Sequence, residues 1–543
     1  MTDTTSGWNF ADVWEVVADR IGDATALVHG DRRVTWSGFD RRADGVAQTL
    51  LDAGAGHQDK VALYLHNGPE YLEAMFATFK AGLVPVNTNY RYGADELVYL
   101  WDNSEAVAAV FCGTYSDTIA ALRDRVPAIT TWLWVDDDHG PCPEWASPYE
   151  HATSNQAERV RADWGRSGDD LFLLYTGGTT GMPKGVMWRQ DDLFVALNAG
   201  APRKRHLGEE ADLELVTELV DSPGIVNLPG CPLMHGTGCF AAMTALSVGG
   251  SVVTLTGRSF DPAEMLDAIE RHGVNSIAIV GDAFAKPLLR ALDAEPDRWN
   301  LTTLKVMVSS GVIWSETSKQ GLLAHHPKML LVDSLGSSEA IGMAQSVSTA
   351  DGQAKTATFQ LGPDTQVITD DGRFVEPGSG ERGRVATRGR TPVGYYKDES
   401  KSASTFVEVD GSRWSIPGDY ATVAADGTLE LLGRGSGCIN TGGEKVYPEE
   451  VEEVLKEHDT VADAVVVGVP DDKFGEAISA VVEPAHGSVD EAELIAHVKA
   501  RLAHYKAPKH IIEVATIGRA ANGKVDYKRH KAHAVEALTP PDH

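Results

Sequence analysis

Short apolar runs separated by helix-length segments constrain this chain more than any other feature. Val61 to Leu65 reads as a buried strand, and Asn67-Gly68-Pro69 then opens a helix on which Leu72, Met75, Phe76 and Phe79 recur at helical spacing. Gly82 stops that helix, and Leu83 to Val86 reads as the next strand. The alternation returns with Val252 to Leu255, a helix over Pro262 to His272 ended by Gly273, and Ser276 to Val280. It continues with Lys305 to Val308 and Met329 to Val332. Repeated units of this kind predict parallel sheets covered by helices, with function in loops beyond the strand ends.

A chain of 543 residues exceeds one ordinary core, so two or more domains are expected. After about Gly394 the texture changes to short strands broken by turns, such as Ala421 to Val423 and Leu429 to Leu432, which predict a small barrel-like lobe. Gly433 to Gly443 reads as a flexible stretch. Beyond it, helices over Pro448 to Lys456 and Glu491 to Leu502 and strands over Ala464 to Val469 and Ala477 to Val482 predict a separate α+β domain.

The formal net charge of -30 disfavours nucleic acid or an anionic membrane as partner. The longest apolar runs, such as Leu171 to Tyr175, are strand-sized and far short of the roughly 20 residues that span a bilayer. The polar start, Met1 to Phe10, lacks the pattern of a secretory signal, so a cytoplasmic address is expected. Cys112, Cys142, Cys231, Cys239 and Cys438 have no metal-ligand spacing and read as reduced thiols.

The apolar run Leu171 to Tyr175 leads into Thr176-Gly177-Gly178-Thr179-Thr180-Gly181-Met182-Pro183-Lys184-Gly185. Glycines there let successive backbone N–H groups converge on an anion, and the threonine hydroxyls add donors. The string is not a Walker A loop, which requires Gly-Lys-Ser or Gly-Lys-Thr where this chain has Pro183-Lys184. Two further loops follow apolar strands: Ser309-Ser310-Gly311-Val312-Ile313 and Asp333-Ser334-Leu335-Gly336-Ser337-Ser338-Glu339.

The glycine-threonine string resembles the phosphate-binding signature of the adenylate-forming superfamily, which holds acyl-CoA synthetases, insect luciferases and peptide-synthetase adenylation domains. The resemblance covers most of the chain. It implies an α/β fold with a large multi-lobed N-terminal domain over 1–433, a hinge over 434–436 and a small mobile α+β domain over 437–543. It further implies that Thr176, Gly177, Gly178, Thr179, Thr180, Gly181 and Lys184 grip the β- and γ-phosphates of ATP. Ser310, Gly311 and Val312 would flank adenine on one face, and the loop of Asp333, Ser334, Leu335, Gly336, Ser337 and Ser338 would bind adenine and a magnesium-bound phosphate from the other, with Ser338 meeting the α-phosphate. Asp333 would accept from the adenine amino group, and Glu339, with Thr176 beside it, would hold Mg²⁺. Many relatives place an aromatic residue where this chain has Leu335.

By the same resemblance, Asp419 in Pro417-Gly418-Asp419 holds the ribose hydroxyls beside Arg434, and Lys524 in Asn522-Gly523-Lys524 is the catalytic lysine. Ser436 occupies the hinge position where aspartate or lysine is usual. Pro232-Leu233-Met234-His235-Gly236-Thr237-Gly238 resembles the acyl-site segment, with His235 near the reacting carboxylate and Gly236, Thr237, Val280 and Phe284 lining the site. Gly236 and Gly238 are expected to leave room for a bulky apolar group. Between Met234 and Phe240 there is no aspartate of the kind that binds an α-amino group, so the expected substrate is a carboxylic acid without that amine.

The stretch from Gly433 to Glu453 most resembles bacterial fatty-acyl and steroid- or terpenoid-acyl CoA ligases. Gly442, Gly443 and Lys445 would then meet coenzyme A. Medium- or long-chain acids and polycyclic acids both stay open, and a second copy of the chain is a candidate partner. Delivery of the acyl group to a carrier protein, and a non-catalytic nucleotide-binding protein, are the alternative readings.

Overall fold

Helix Pro69–Lys80 joins the two large sheets of the molecule. It starts on proline, whose missing N–H is unused in a first turn, and nearly every residue along it is buried. It packs on strands Lys60–Tyr64 and Val84–Asn87 on one side and on Thr25–His29 and helix Trp36–Asp52 on the other. Its last residue, Lys80, is fully buried, with its ammonium 2.7 to 2.8 Å from carboxylate oxygens of Glu15, Asp40 and Asp44. Such a cluster persists only while its charges remain paired, and deleting one partner of a buried pair costs about 3–5 kcal/mol.

The structure, a computed structural model, describes residues 7–155, 158–176, 182–201, 203–312, 314–352, 355–441, 444–471, 475–520 and 523–538. Its first sheet has eight strands, with Lys60–Tyr64, Val84–Asn87, Ala106–Cys112 and Thr131–Val135 parallel and the hairpin Leu171–Thr176/Lys184–Arg189 beside them. In the second sheet, Thr25–His29, Ser251–Thr254, Val226–Pro229, Ser276–Ile279, Val306–Ser310 and Leu330–Ser337 run parallel. The predicted strand-helix-strand units therefore fall on two parallel cores. Trp14, Phe39, Phe76, Phe79, Leu246 and Met243 fill the layer between them.

The second sheet then reverses. Ala340–Ser348 pairs antiparallel to Leu330–Ser337, and the strands that follow through Thr428–Arg434 continue the same 15-stranded sheet, except Gly394–Tyr395, which pairs with Lys184–Arg189 of the first sheet. Among the described residues these strands close no barrel, which corrects the barrel-like lobe expected from their short, turn-punctuated pattern. Their order in the sheet is not the chain order, since Thr428–Arg434 lies between Thr358–Leu361 and Asp419–Val423.

A third sheet, of five strands, starts at Ile439–Thr441 and is dominated by Val461–Asp471 against Gly475–Pro484. Ala464 and Val466 pack into one core, and Val465, Val467 and Val469 into another, so apolar residues face helices on both sides. The stretch expected to be flexible from 433 to 443 contains the end of strand Thr428–Arg434, a single turn at Gly435–Gly437 and strand Ile439–Thr441. Gly442 and Gly443 lie outside the described residues. Of the helices, Pro262–His272 and Pro448–Lys456 have the bounds their sequence predicts.

Candidate active site

Thr176 and Lys184 face each other as the last register pair of an antiparallel hairpin, so the glycine-threonine string is its connection. Gly177, Gly178, Thr179, Thr180 and Gly181 lie outside the described residues. The Lys184 ammonium sits 2.8 Å from Asp398 Oδ2 and over the Tyr395 ring. Its hydrogen bond holds the Asp398 carboxyl below the usual carboxylate range.

Glu339 occupies the turn at which the second sheet changes from parallel to antiparallel. Three neighbours fix it there. Tyr395 donates from its hydroxyl to Glu339 Oε1 at 2.8 Å, Ser415 Oγ donates to the Glu339 carbonyl at 2.7 Å, and Trp188 Nε1 donates to the Ser338 carbonyl at 2.9 Å. Ser337 Oγ accepts from the Glu339 N–H. Leu335 is half-buried against the antiparallel core that includes Ala340 and Met343. Ser334 and Gly336 lie on the same strand, half-buried.

Asp333 is buried, and Lys319 Nζ donates to its Oδ2 at 3.0 Å. Burial pushes this carboxyl up to about 6 even though the Lys319 ammonium pulls the other way. One carboxylate oxygen is thus committed to the protein, leaving Oδ1 for any nucleotide contact. Ser310 ends the neighbouring parallel strand, in register with Ser334. At Gly311 the backbone has φ +98°, and a methyl group placed there would lie 3.7 Å from Val280 Cγ1 and 3.8 Å from Thr237 Oγ1. Val312, next along, is half-buried against the same core as Phe284. Phe284 itself sits in that core, its ring 4.6 Å from that of Phe260.

Asp419 and Arg434 are register partners on adjacent antiparallel strands, with Arg434 Nε donating to Asp419 Oδ1 at 3.1 Å. The third-sheet region reaches the end of strand Ser276–Ile279 through residue 523. A methyl group on Gly523 would lie 3.0 Å from Val280 Cγ1. Lys524 then enters a field of Arg434, Glu339 and Asp419, in which burial first and the Arg434 charge second pull its ammonium below the ordinary value. His235 feels the same lysine. Burial, then the Lys524 and Arg91 charges, pull its imidazole down to about 3, so it is neutral at physiological pH. The side chains of Ser436 and Lys445 lie outside the described residues.

His235 immediately precedes helix Gly236–Ser247. Gly238, expected to make room for substrate, instead allows close packing of backbone. A Cβ there would lie 2.6 Å from the Pro232 carbonyl and 2.9 Å from the Cys231 carbonyl. A Cβ on Gly236 would meet Phe240 and Leu174 at 3.3 and 3.4 Å. Segment 231–234 is held from the first sheet. Asn67 accepts from Leu233 N at 2.7 Å and donates to the Cys231 carbonyl at 3.1 Å. Asn87 donates to the carbonyls of Met234 and Tyr175 at 2.7 and 2.9 Å.

Tyr395, Asp398, Ser415, Trp188, Lys319, Arg91, Asn67 and Asn87 were not singled out from sequence. For Asn67 and Asn87 a signal existed, since both are polar residues just at the carboxyl ends of parallel strands. Arg91 follows Asn87 by four residues without any spacing that marks it.

Two sheets joined through a helix layer, with a lysine delivered to their edge from a third, is the architecture of an adenylate-forming enzyme. The chain belongs to the AMP-binding enzyme family, whose description matches residues 14–396, while the AMP-binding enzyme C-terminal domain matches residues 450–524. It is 42% identical over 527 residues to a medium/long-chain-fatty-acid–CoA/3-oxocholest-4-en-26-oate–CoA ligase of Mycolicibacterium smegmatis, covering 96% of this chain and 95% of that one. It is 41% identical over 534 residues to a 3-oxocholest-4-en-26-oate–CoA ligase of Rhodococcus rhodochrous, with the same coverage. Among solved structures, ATP-bound MatB of Rhodopseudomonas palustris aligns with a TM-score of 0.79 at 25% identity, over 98% of this chain and 100% of that chain.

Proposed function

We propose that this chain is an ATP-dependent acyl-CoA synthetase for a hydrophobic carboxylic acid, of medium or long chain or polycyclic. The observation that carries the reading is the convergence of Lys524, His235, Glu339 and the Asp419–Arg434 pair, which arrive from four distant parts of the sequence. The choice of acid rests on the mycobacterial and Rhodococcus relatives, together with the lack of an amine-binding aspartate after Met234.

In the first half-reaction the substrate carboxylate attacks the α-phosphate of ATP and pyrophosphate leaves in line. Lys524 stabilises negative charge that builds between the acid and the α-phosphate. His235, being neutral, orients the carboxylate by donating one ring N–H and takes no proton. No general base is needed, because the nucleophile is already ionised. Asp419 and Arg434 seat the ribose, and Lys184 exchanges Asp398 for the outer phosphates. In the second half-reaction the thiol of coenzyme A attacks the acyl carbonyl and AMP departs.

The donor set fits Mg²⁺. Among the described residues no cluster of three or more His, Cys, Asp or Glu is arranged to hold a metal alone. Mg²⁺ carried by a triphosphate needs only one or two protein carboxylates. Glu339 supplies one, with the Thr176 hydroxyl nearby in the reading. Bound there, the ion would neutralise charge on the departing phosphates.

Residues 1–433 would form the catalytic body, 434–436 the hinge and 437–543 the moving domain, which withdraws Lys524 and brings Gly442, Gly443 and Lys445 to coenzyme A. The cytoplasm is the fitting compartment, given five cysteines without a disulfide and, among the described residues, no helix long and apolar enough to cross a membrane. The test is a panel of fatty and polycyclic acids with ATP, Mg²⁺ and coenzyme A, read by AMP release and product mass. Acid-dependent AMP release with an acyl-CoA product is expected. Release without a thioester would transfer the reading to a carrier-protein ligase, and no acid-dependent release would refute it.

A further inference from the structure

Asn87 is the last residue of strand Val84–Asn87 and is 6% exposed. Its side-chain amide is fully used. Nδ2 donates to the Tyr175 carbonyl at 2.9 Å and to the Met234 carbonyl at 2.7 Å, while Oδ1 accepts from Tyr175 N at 2.6 Å. Tyr175 is the residue before Thr176, where the glycine-threonine connection begins, and Met234 is the residue before His235. These two segments belong to different sheets. Leu171–Thr176 lies in the eight-stranded sheet, and segment 230–235 follows Val226–Pro229 of the 15-stranded sheet. One planar amide therefore sets the spacing between the stem of the nucleotide loop and the histidine of the acyl site.

Asn67 secures the other end of the same segment. It lies beyond strand Lys60–Tyr64 and takes both the Cys231 carbonyl and the Leu233 N–H. Segment 231–234 is thereby fastened at its start and end to the first sheet, with Pro232 between.

We propose that Asn87 is a positioning residue for adenylate formation, holding the phosphate-loop strand and His235 at the separation the in-line attack requires. The proposal rests on the reading of Thr176 to Lys184 as the phosphate loop and of His235 as the acyl-site histidine. Its physical basis is the steep dependence of a bimolecular displacement on the alignment of its partners, for which a shift of about 1 Å costs about 100-fold in rate. Both carbonyls also need a donor when buried, and an amide of this length supplies two from one plane.

Asn87→Asp tests it with little change in volume. The aspartate keeps the acceptor for Tyr175 N and loses both donors. Expected is a fall of about 10- to 100-fold in kcat for acid-dependent ATP–pyrophosphate exchange, with thioester formation from supplied acyl-AMP changed by less than about threefold. The phosphate loop serves only the first half-reaction, which is why the two should part. Combined with His235→Ala, the loss should be smaller than the product of the single losses. Equal loss in both half-reactions, a multiplicative double variant, or a lowered melting temperature with unchanged exchange would each overturn the proposal.

If Asn87→Asp does not fold, Asn87→Gln takes its place, keeping both donors on a longer arm. It should show the same division between half-reactions with a smaller fall, and an even loss or no loss overturns the proposal equally. Lys184→Ala in the same assay separates the premises. A large loss there with intact exchange in Asn87→Asp defeats the positioning role alone, whereas intact exchange in Lys184→Ala defeats the phosphate-loop reading itself.

Discussion

The Tyr395 hydroxyl donates to Glu339 Oε1 at 2.8 Å, so one oxygen of the carboxylate in the sheet-reversing turn is held by a residue 56 positions further along the chain. Glu339 enters the bond as the acceptor, and the contact pushes the Tyr395 phenol further up from a value already raised by burial. If Glu339 holds Mg²⁺ as proposed, losing the group that orients its carboxylate costs about 10- to 100-fold in metal affinity. Tyr395→Phe is therefore expected to raise the Mg²⁺ concentration for half-maximal ATP–pyrophosphate exchange on the order of tenfold. A Mg²⁺ titration of the variant decides this, and an unchanged midpoint would leave the tyrosine as packing only.

Lys524→Ala should lower acyl-AMP formation by on the order of a hundredfold or more and spare thioester formation from supplied acyl-AMP. Rapid-quench measurement of each half-reaction provides the check. Similar losses in both would remove Lys524 from the adenylation step.

Lys319→Met strands the buried Asp333 without its ammonium. Leaving one member of a buried ion pair alone costs about 3–5 kcal/mol, so chemical denaturation should show a loss of that order. Adding Asp333→Asn to the same protein should recover much of it. If the single variant unfolds at the parent midpoint, the pair contributes nothing to stability.

Glu449 gives a pH signature. Its Oε1 accepts from Arg434 N at 3.4 Å, and the Glu452 and Asp419 carboxylates and the Arg434 guanidinium act on it. Burial first, and then the Glu452 carboxylate, push it up to about 8 from an ordinary 4.5. Between those two values the folded chain binds more protons at this site than the unfolded chain, so this group's contribution to stability falls as pH rises through the window. Glu449→Gln should melt above the parent at pH 8.5 and close to it at pH 5. Parallel melting curves at both pH values would show that Glu449 titrates normally.

Local features of the fold were legible and pairings were not. Helix Pro262–His272 declared itself by proline at its first position and by Gly273, whose φ of +63° ends it. The glycine- and serine-rich loops announced themselves by composition. Nothing in the short strands after Gly394 says that they extend an existing sheet, because period-two patterning specifies a buried face and not a neighbour. Tyr395 bonds to a residue 56 positions away, and Asn87 to partners 88 and 147 positions away. Only the folded chain brings those together. Gly238 shows the converse error: a small residue beside a site reads as space for a ligand, while its hydrogen atom is needed against two backbone carbonyls.

Asn67 and Asn87 grasp segment 231–234 through the Cys231 and Met234 carbonyls and the Leu233 N–H, never through its side chains. Alignment of His235 is therefore set twice over, by main-chain atoms held by the two amides and by the Cys231, Leu233 and Met234 side chains buried in the flanking cores. A substitution on the segment is therefore felt through core packing while both amides go on binding the same main-chain atoms. The position of His235 is thereby tied to the packing between the two sheets.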